Sequence, residues 1–427
     1  MANTFLTASW VARKSLVMLH SKAQAAMACN RNYESAIGAK IDGVPIGTSY
    51  LVRVPFNFTL RTGASMAAQN LTQRSATLTL NNQNGVDVNL SSVERQFNIG
   101  DFEEQIIRPA SARIASGINN NVTALTNQFP KAVGTLGTAA ATVTFLNIQQ
   151  ANQYLVESLA PDGADGQTLL TSPVHETDWI SSNSALFNPQ IDVSDQWREG
   201  MIASRVLGFA AVREPKMPAY TTGVYGTSTP VISAGTTVGS TGVDNTYTAT
   251  TTMATTGWAS GGTTLNAGDV FCVVGVHEVD PETKVALNRL KQFVLTAKIS
   301  DTSGAISAVV SPCPISGGAY QNVDVLPAAG AGLTTATGTA AISAASGGGI
   351  TYAQSLAMYK DAILFACVPL IDASELVKFY AQEQFDGFSI RVIQTYDTDN
   401  DLMPLRLDTI SGEVVSYPEL GVRVVGT

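Results

Sequence analysis

Hydrophobic and polar residues follow two different periods in the first third of the chain. From Val52 to Leu60 every second residue is apolar, which is the period of a strand with one buried face. Alanine-rich spacing without glycine or proline predicts a helix from Thr7 to Met27. A second, amphipathic helix is predicted from Pro109 to Phe129, and Pro130 ends it. Its marker positions are Pro109, Ile114, Ile118, Val122 and Leu125.

Residues 76–90 carry the pattern of a long two-stranded hairpin. Apolar residues alternate with nearly uncharged polar ones on both sides of Asn84-Gly85, a pair that favours a type I′ turn because both central residues need positive φ. A two-stranded ribbon is marginally stable by itself in water. We therefore expect the hairpin to lie on its own domain or on a neighbouring chain. The residues singled out in it are Leu78, Leu80, Asn84, Gly85, Val86 and Val88.

The middle of the chain changes from mixed to all-β character. Helices are predicted at Phe145–Leu159 and His175–Phe187, with a short strand at Thr168–Thr171 between them. From Thr221 to Gly349, threonine, glycine, serine and alanine dominate, and apolar runs alternate with turn residues. This texture predicts an all-β domain inserted into an α/β host. Further strands are predicted afterwards at Ala362–Leu370, Ser389–Tyr396, Leu405–Ile410 and Leu420–Val425.

Charge is unusually scarce and the balance is acidic. Charged residues make up 14% of the chain, against about 25% in typical soluble proteins, and the formal net charge is −9. A free-standing nucleic-acid reader needs clustered lysine and arginine, so that class is disfavoured. No apolar run reaches the roughly 20 residues of a membrane span. The N-terminal residues lack the apolar core of a signal peptide, so none is expected.

Residues that carry chemistry are few and scattered. The four cysteines have no CxxC spacing, which favours buried small side chains over a metal or redox site. Three histidines and the lack of any nucleophile, phosphate-loop or zinc motif leave no catalytic, cofactor or metal site to assign. Asp397–Asp401 opens like a calcium loop, but Leu402 stands where glycine belongs and Asp408 where a glutamate belongs. A turn is the preferred interpretation, and a calcium site remains the alternative.

Short motifs in a fixed order provide a resemblance to a known family. The chain resembles the major capsid proteins of tailed bacteriophages, with the Johnson or Hong Kong 97 fold. More narrowly, it is similar to the coat proteins of short-tailed temperate Salmonella-type phages, whose fold carries an inserted domain. The segments that carry the resemblance are Ser92–Arg95, Asp101-Phe102, Arg198–Gly200, Gly208-Phe209, Pro215–Pro218, Gly268–Phe271, Gly275-Val276, Lys291–Phe293, Tyr359–Ala362, Val368–Leu370, Gly387–Val392, Arg406–Asp408 and Pro418–Leu420.

The resemblance implies an α+β capsid fold with an extended hairpin loop, a long spine helix and an inserted all-β domain that is like a Greek-key barrel. In that fold residues 76–90 would lap onto the adjacent subunit, and Pro109–Phe129 would be the spine beneath the shell. The implied divisions are 1–35 for an N-terminal arm helix, 36–144 for hairpin, spine and peripheral domain, 145–220 for the first axial part, 221–349 for the insertion and 350–427 for the closing axial and peripheral part. The insertion would support monomer folding or contacts between capsomers.

The resemblance also implies partners. Copies of the chain would close as hexamers and pentamers into an icosahedral head, assembled in the host cytoplasm around DNA that is enclosed without specific recognition. A scaffolding protein would guide assembly, with Arg13, Lys14 and Lys22 as its candidate contact, and a portal protein would occupy one vertex. No cofactor, metal or membrane is implied. A surface covered by its own copies would explain the scarce charge, because interface cores are depleted of Lys, Glu and Asp.

Two other classes of function remain as alternatives. The Thr/Gly/Ala-rich middle also suits an extracellular or decoration-type β-rich structural protein, although the amphipathic helix and the expected lack of a signal peptide argue against it. An enzyme comes third, since only a site assembled from distant Asp, Glu and His residues would support it.

Overall fold

The computed structural model describes the chain in two compact units. The first consists of residues 1–52, 76–123 and 363–414, and the second of residues 53–75, 124–362 and 415–427. No helix among the described residues is long and apolar enough to cross a membrane. The described residues are 8–32, 40–41, 44–45, 49–66, 68–91, 103–134, 142–161, 166–182, 205–225, 229–234, 238–335, 348–370, 372, 377, 379–398 and 400–426.

Helices are few and lie where apolar spacing predicts them. The predicted N-terminal helix is present as Ala8–Lys22 followed by the short Gln24–Met27. The long central helix runs from Arg108 to Ala124, preceded by a π turn at Glu103–Ile107 and followed by a 3-10 turn at Leu125–Gln128. The other α-helices among the described residues are Phe145–Val156 and Pro173–Ser182, and further 3-10 turns lie at Val243–Asn245, Lys360–Ala362 and Pro418–Leu420.

A five-stranded sheet forms the centre of the first unit. Its path runs Ile363–Val368, Leu402–Val415, Phe388–Gln394 and Phe379–Phe385, and Asn82–Ser91 pairs with the long strand Leu402–Val415. The N-terminal helix packs on the last two strands of the path through Val11, Ala12, Ser15, Leu16 and Leu19. Two short pairs complete the described strands of this region: Lys40–Ile41 with Val44–Pro45, and Ser49–Arg53 with Ser75–Thr79.

A seven-stranded sheet forms the host part of the second unit. Helices Phe145–Val156 and Pro173–Ser182 cover it, and Trp179, Phe209 and Leu155 lie fully buried in its core. The two β-strands that flank the insertion, Tyr220–Thr221 and Thr351–Tyr359, pair with each other at its base. The path of the sheet is Lys131–Gly134, Gly421–Gly426, Thr351–Tyr359, Gln167–Thr171, Phe209–Arg213 and Arg205–Val206, with Tyr220–Thr221 beside it.

A six-stranded antiparallel sheet lies between residues 231 and 335 and curls into a nearly closed barrel. A bridge between Val231 and Gly332 brings its first and last strands together. Phe271, Phe293 and Met253 fill its interior. The strands in order are Val231–Ile232, Thr251–Thr256, Ala305–Ser311, Ala286–Leu295, Val270–Val279 and Leu333–Thr335, and Thr264–Leu265 pairs with Ile299–Ser300 at its side.

The predicted hairpin at residues 76–90 is wrong. Ser75–Thr79 pairs with Ser49–Arg53, whereas Asn82–Ser91 pairs over its whole length with residues 402–411. Asn84 and Gly85 therefore lie within an extended strand, opposite Thr409 and Asp408, and neither has positive φ. The local turn preference of Asn-Gly gives way because a ten-residue ladder with a distant strand satisfies far more backbone groups than a tight turn would.

The predicted strand at Val52–Leu60 is also shorter than expected. The regular strand ends at Arg53, and residues 54–66 and 68–74 leave the sheet without regular secondary structure. The chain between the paired strands is therefore residues 54–74, and it ends ten residues before the predicted turn at Asn84. Residues 183–204, including the end of the helix predicted at His175–Phe187, and the motifs at 92–102 lie outside the described residues.

Candidate assembly surfaces

Residues 54–74, hereafter the outer loop, form two limbs held together across the loop. At the base, the Val54 amide donates to the Arg74 carbonyl at 3.0 Å. Farther out, the Gln69 side chain joins both backbone groups of Thr59, accepting from its amide at 3.0 Å and donating to its carbonyl at 2.6 Å. These hydrogen bonds hold the two limbs together where no strand ladder joins them.

The apolar row of the outer loop loses its cover towards the tip. Val54 is buried, but Phe58 is 65% exposed and Leu60 is 93% exposed. Met66, on the returning limb, is 87% exposed. Large exposed apolar side chains that share one loop indicate an interaction surface rather than scattered surface residues. Sequence reasoning placed Phe58 and Leu60 on the buried face of a strand, and alternation alone cannot tell a face covered by its own chain from one covered by another.

Most residues of the predicted hairpin pack inside their own unit. Leu78 is fully buried in a cluster with Val52 and Leu364, and Leu80 packs partly against it. Val86 and Val88 are half-buried in the strand that pairs with residues 402–411. Asn84 lies against Gly117 of the long helix. A Cβ added to Gly117 would lie 3.4 Å from the side-chain Cγ of Asn84.

A buried carboxylate lies opposite Gly85. Asp408 is fully buried and accepts from Arg391 Nε at 3.0 Å and Nη2 at 2.8 Å, from Arg406 at 2.9 Å and from Gln83 at 2.9 Å. The hydrogen bonds and positive charge of Arg391 and Arg406 outweigh burial and hold the pKa of Asp408 below its usual range. Asp408 therefore fastens the long strand Leu402–Val415 to two of its neighbours, Phe388–Gln394 and Asn82–Ser91.

The long helix is a core element on its inner face. Ile114, Ile118 and Val122 are almost completely buried, as their spacing predicts. Pro109 is exposed at the first turn, and Leu125 is half-buried in the closing 3-10 turn. On the same helix, Asn119 donates to the carbonyl of Lys22 at 3.0 Å, which ties the helix to the end of the N-terminal helix.

The three candidate scaffold-contact cations of the N-terminal helix are exposed. Arg13 is 73% exposed in its side chain and pairs with Glu383 at 3.1 Å. Lys14 lies over the ring of Trp10, with its Nζ 5.7 Å from the ring centre. Lys22 ends the helix and is exposed. An exposed pair such as Arg13–Glu383 contributes little to stability, so an acidic partner would compete with Glu383 for Arg13 at low cost.

A buried ion cluster fastens the barrel to the host sheet. Glu278 accepts from Lys291 at 3.0 Å, from Lys131 at 3.3 Å and from Arg289 at 2.6 Å. Although burial opposes ionisation, the three cations hold the pKa of Glu278 well below its usual range. Beside the cluster, the Gln292 side chain makes two 2.8 Å hydrogen bonds with the backbone of Ala132. Lys131 and Ala132 belong to the host sheet, so the barrel is docked rather than tethered.

Asp269 closes the base of the insertion. Its carboxylate accepts from Tyr220 Oη at 2.9 Å, from the Asn266 amide at 2.9 Å and from the Gly223 amide at 3.1 Å. Burial raises the pKa of Asp269, while these hydrogen bonds oppose the rise. The Gly268–Phe271 segment carried part of the family resemblance, but nothing in the sequence indicated that its aspartate bonds to residues 46–49 positions upstream.

The cysteines and His175 are enclosed by the chain. All four cysteines are buried and none of them forms a disulfide, as expected. His175 is buried between Ser355 and the Gly426 carbonyl, and burial lowers its pKa. Around Asp397, the backbone bonds to Leu402 in both directions and Asn400 donates to its carboxylate, as in a turn. Among the described residues no group of three or more His, Cys, Asp or Glu side chains could hold a metal ion.

Comparison with known proteins gives one extensive match. The family model described as "P22 coat protein - gene protein 5" matches residues 60–426. A search of the curated proteins finds no match. The barrel, the long helix and the closing strands lie within the matched residues, as do residues 60–74 of the outer loop, whereas residues 54–59 precede them.

The solved structures that match this chain have sequences very different from it. One described as "Mycobacterium phage Che8" has a TM-score of 0.46 and 12% identity, covering 94% of this chain and 90% of that chain. "Capsid of Ralstonia phage GP4" has a TM-score of 0.45 and 8% identity, covering 93% and 86%. "Capsid of native GTA particle computed with C5 symmetry" has a TM-score of 0.43 and 8% identity, covering 95% and 90%. The family assignment therefore rests on the family model.

Proposed function

The chain belongs to the P22 coat protein family and is a major capsid protein of a tailed double-stranded DNA phage, and on that premise we propose that its outer loop is the arm that contacts the neighbouring subunit. As a capsid protein it is a structural component of the virion, and copies of it form the shell. The expected α+β capsid fold and the non-enzymatic role are confirmed with the family. The alternatives of a β-rich decoration protein and an enzyme are thereby set aside.

The exposed apolar row of the outer loop carries this proposal. Phe58, Leu60 and Met66 offer apolar surface that the described chain leaves uncovered. Burying a side chain such as Leu60 against a neighbour contributes about 1.5–3 kcal/mol. Because every subunit makes and receives such a contact, modest contacts add up around a closed shell. Residues 76–90, the arm expected from the sequence, instead supply buried contacts such as those of Leu78 and ladder partners such as Gly85.

Leu60→Asp tests the proposed arm. Leu60 is 93% exposed, so the variant should fold with an unchanged melting temperature as a monomer. A charge buried without a partner opposes association, and we expect shell yield to fall by at least tenfold. Thr62→Asp is the matched control, because it adds the same charge to the same exposed tip and leaves the apolar row intact. Shells counted by sedimentation and electron microscopy give the answer, and wild-type yield from Leu60→Asp would contradict the proposal.

We also propose that a scaffolding protein docks on Arg13, Lys14 and Lys22. All three residues are exposed, Arg13 and Lys14 within the N-terminal helix and Lys22 at its end, and this supports docking of an acidic partner surface. Reversing Arg13 and Lys14 to Glu should weaken scaffold binding by at least tenfold at low salt. Reversing Lys298 and Lys360, which are also exposed, is the matched control. Equal binding by both double variants, measured by titration calorimetry, would move the docking surface elsewhere. A portal protein at one vertex is a further partner inferred from the family.

The divisions of the chain are proposed with the same roles. Residues 1–35 form the arm helix, and 145–220 with 350–427 supply the regions that meet around symmetry axes. Residues 36–144 contain the outer loop and the long helix, whose buried Ile114, Ile118 and Val122 support its role as a rigid beam. Residues 221–349 form the insertion, and its barrel supports that boundary.

A further inference from the structure

The returning limb of the outer loop lies against the insertion of its own chain. Asn70 donates to Asp244 Oδ1 at 3.3 Å, and its carbonyl accepts from Asn245 Nδ2 at 3.0 Å. Two residues farther along, the Thr72 carbonyl accepts from Tyr320 Oη at 2.8 Å. These contacts come from two separate parts of the insertion and meet one limb.

Arg74 is the third residue of this limb that contacts the insertion, after Asn70 and Thr72. The Arg74 guanidinium lies 4.5 Å from the ring centre of Tyr247 and pairs with Glu419 at 3.0 Å. The Arg74 side chain is only 10% exposed, so this cation–π and ion-pair contact is shielded from water. Residues 70, 72 and 74 thus contact the insertion or its surroundings at the two-residue period of an extended chain.

The residues of the insertion that contact Asn70 lie in a turn at Asp244 and Asn245. Asp244 and Asn245 both adopt left-handed backbone conformations, with φ of 56° and 53°. Asn and Asp tolerate this region better than other side chains. The Asn245 side-chain oxygen accepts from the Ala319 amide at 2.8 Å, which leaves its amide nitrogen to donate to Asn70. Each end of the Asn245 amide therefore has its own partner, one in the insertion and one in the loop.

A cavity of about 260 Å³ lies beside the base of this limb, with Asn57, Arg74, Tyr247, Tyr320 and Glu419 among its lining residues. No atoms pack on the side of Arg74 that faces the cavity, so dispersion contacts are missing there. Farther along the limb, the hydrogen bonds of Asn70 and Thr72 join it to the insertion. Removing those contacts should release the limb without disturbing the barrel core.

We propose that the Asp244–Asn245 turn and Tyr320 position the outer loop of their own subunit before any neighbour binds. The insertion would thereby act as an intramolecular clamp that presents Phe58, Leu60 and Met66 in one pose. The clamp rests on the proposed function, in which the outer loop is the arm that contacts the neighbour. Tyr320 and Asn245 are positioning residues, since their effect on assembly passes through the loop.

Hydrogen exchange of the unassembled full-length chain tests the clamp. The variant combines Tyr320→Phe with Asn245→Asp, which keeps the oxygen that accepts from Ala319 and removes the donor to Asn70. Amides in peptides spanning residues 54–74 should exchange about tenfold faster than in the unaltered chain. The barrel strands Val270–Val279 and Ala286–Leu295 should exchange at the unaltered rate.

Matched changes elsewhere control for the chemistry of the substitutions. Tyr396→Phe with Asn400→Asp removes one hydroxyl and adds one charge at an exposed turn, and it should leave exchange in residues 54–74 unchanged. Unchanged loop exchange in the clamp variant, with intact barrel strands, would overturn the proposal. If the barrel strands also exchange faster, the single variant Tyr320→Phe is measured in the same peptides, because it leaves the Asp244–Asn245 turn unchanged. Faster exchange in residues 54–74 alone then supports the clamp, and unchanged exchange there contradicts it. Hydrogen exchange is measured on monomers, so its result does not depend on whether Leu60→Asp blocks assembly. The clamp and the proposed arm can therefore fail separately.

Discussion

Gly85 and Asp408 lie directly opposite each other in two antiparallel strands, and the missing side chain of one makes room for the carboxylate of the other. A Cβ on Gly85 would lie 3.0 Å from the Leu407 carbonyl oxygen and 3.1 Å from Asp408 Cβ. Asp408 is fully buried at this point between Arg391, Arg406 and Gln83. Gly85 thus serves close approach between strands, where the sequence suggested a turn.

Gly85→Val should destabilise the monomer. The added branched side chain must displace the strand that carries Asp408, and overpacking of this kind costs about 1–3 kcal/mol. Asn89→Val is the matched control, because residue 89 is exposed on the same face of the same strand and valine favours strands. Urea unfolding of both variants measures the difference. Equal free energies of unfolding for Gly85→Val and Asn89→Val would contradict the close approach of the two strands at Gly85.

Glu413 should make the monomer less stable as the pH rises. Burial raises the pKa of Glu413 to about 7, although Asn82 donates to one of its oxygens. The folded chain therefore keeps a proton that the unfolded chain releases near pH 4.5, so unfolding is favoured progressively between pH 4.5 and about 7. Glu413→Gln should flatten this part of the profile of melting temperature against pH. The exposed Glu104→Gln is the control, and an unchanged slope in Glu413→Gln would exclude Glu413 as its source.

Glu278→Gln should weaken the docking of the barrel on the host sheet. Without the carboxylate, Lys131, Arg289 and Lys291 lose a shared partner in a buried site, and breaking such a cluster costs about 3–5 kcal/mol. The pKa of Glu278 lies well below its ordinary 4.5, so its stabilisation is complete above that pH and is lost only as the pH falls through the depressed value. The loss in Glu278→Gln should therefore be full at neutral pH.

Denaturant midpoints at pH 7 measure this loss, with Glu282→Gln as an exposed control four residues away. Proteolysis of the folded chain adds a local readout, because a loosened barrel should be cut near its base. A midpoint equal to that of the control would show that the cluster contributes nothing net to stability.

Local patterns predicted the helices well. The spacing of Ile114, Ile118 and Val122 placed one face of the long helix in the core, where it lies. The run at Phe145–Leu159 became the helix Phe145–Val156, within three residues at its end. A helix satisfies its backbone within one segment, so the residues that determine it are neighbours in the sequence.

The contacts that fasten the insertion were not predictable in the same way. Glu278 meets Lys131, and Asp269 meets Gly223, across long stretches of chain. A charged residue in a strand pattern ordinarily indicates a solvated face. Only the folded chain shows which charges have lost water and gained partners.

The sequence by itself determined the family, the helices, the all-β character of the insertion and the alternation of apolar residues around Phe58 and Leu60. The tertiary structure decided which strand pairs with Asn82–Ser91 and which apolar row is left uncovered. A strand completes its hydrogen bonds only with a partner, and that partner, residues 402–411, lies more than 300 positions away. Periodicity shows that a face is apolar, whereas the packing of the whole chain shows whether that face is already covered or open to a neighbour.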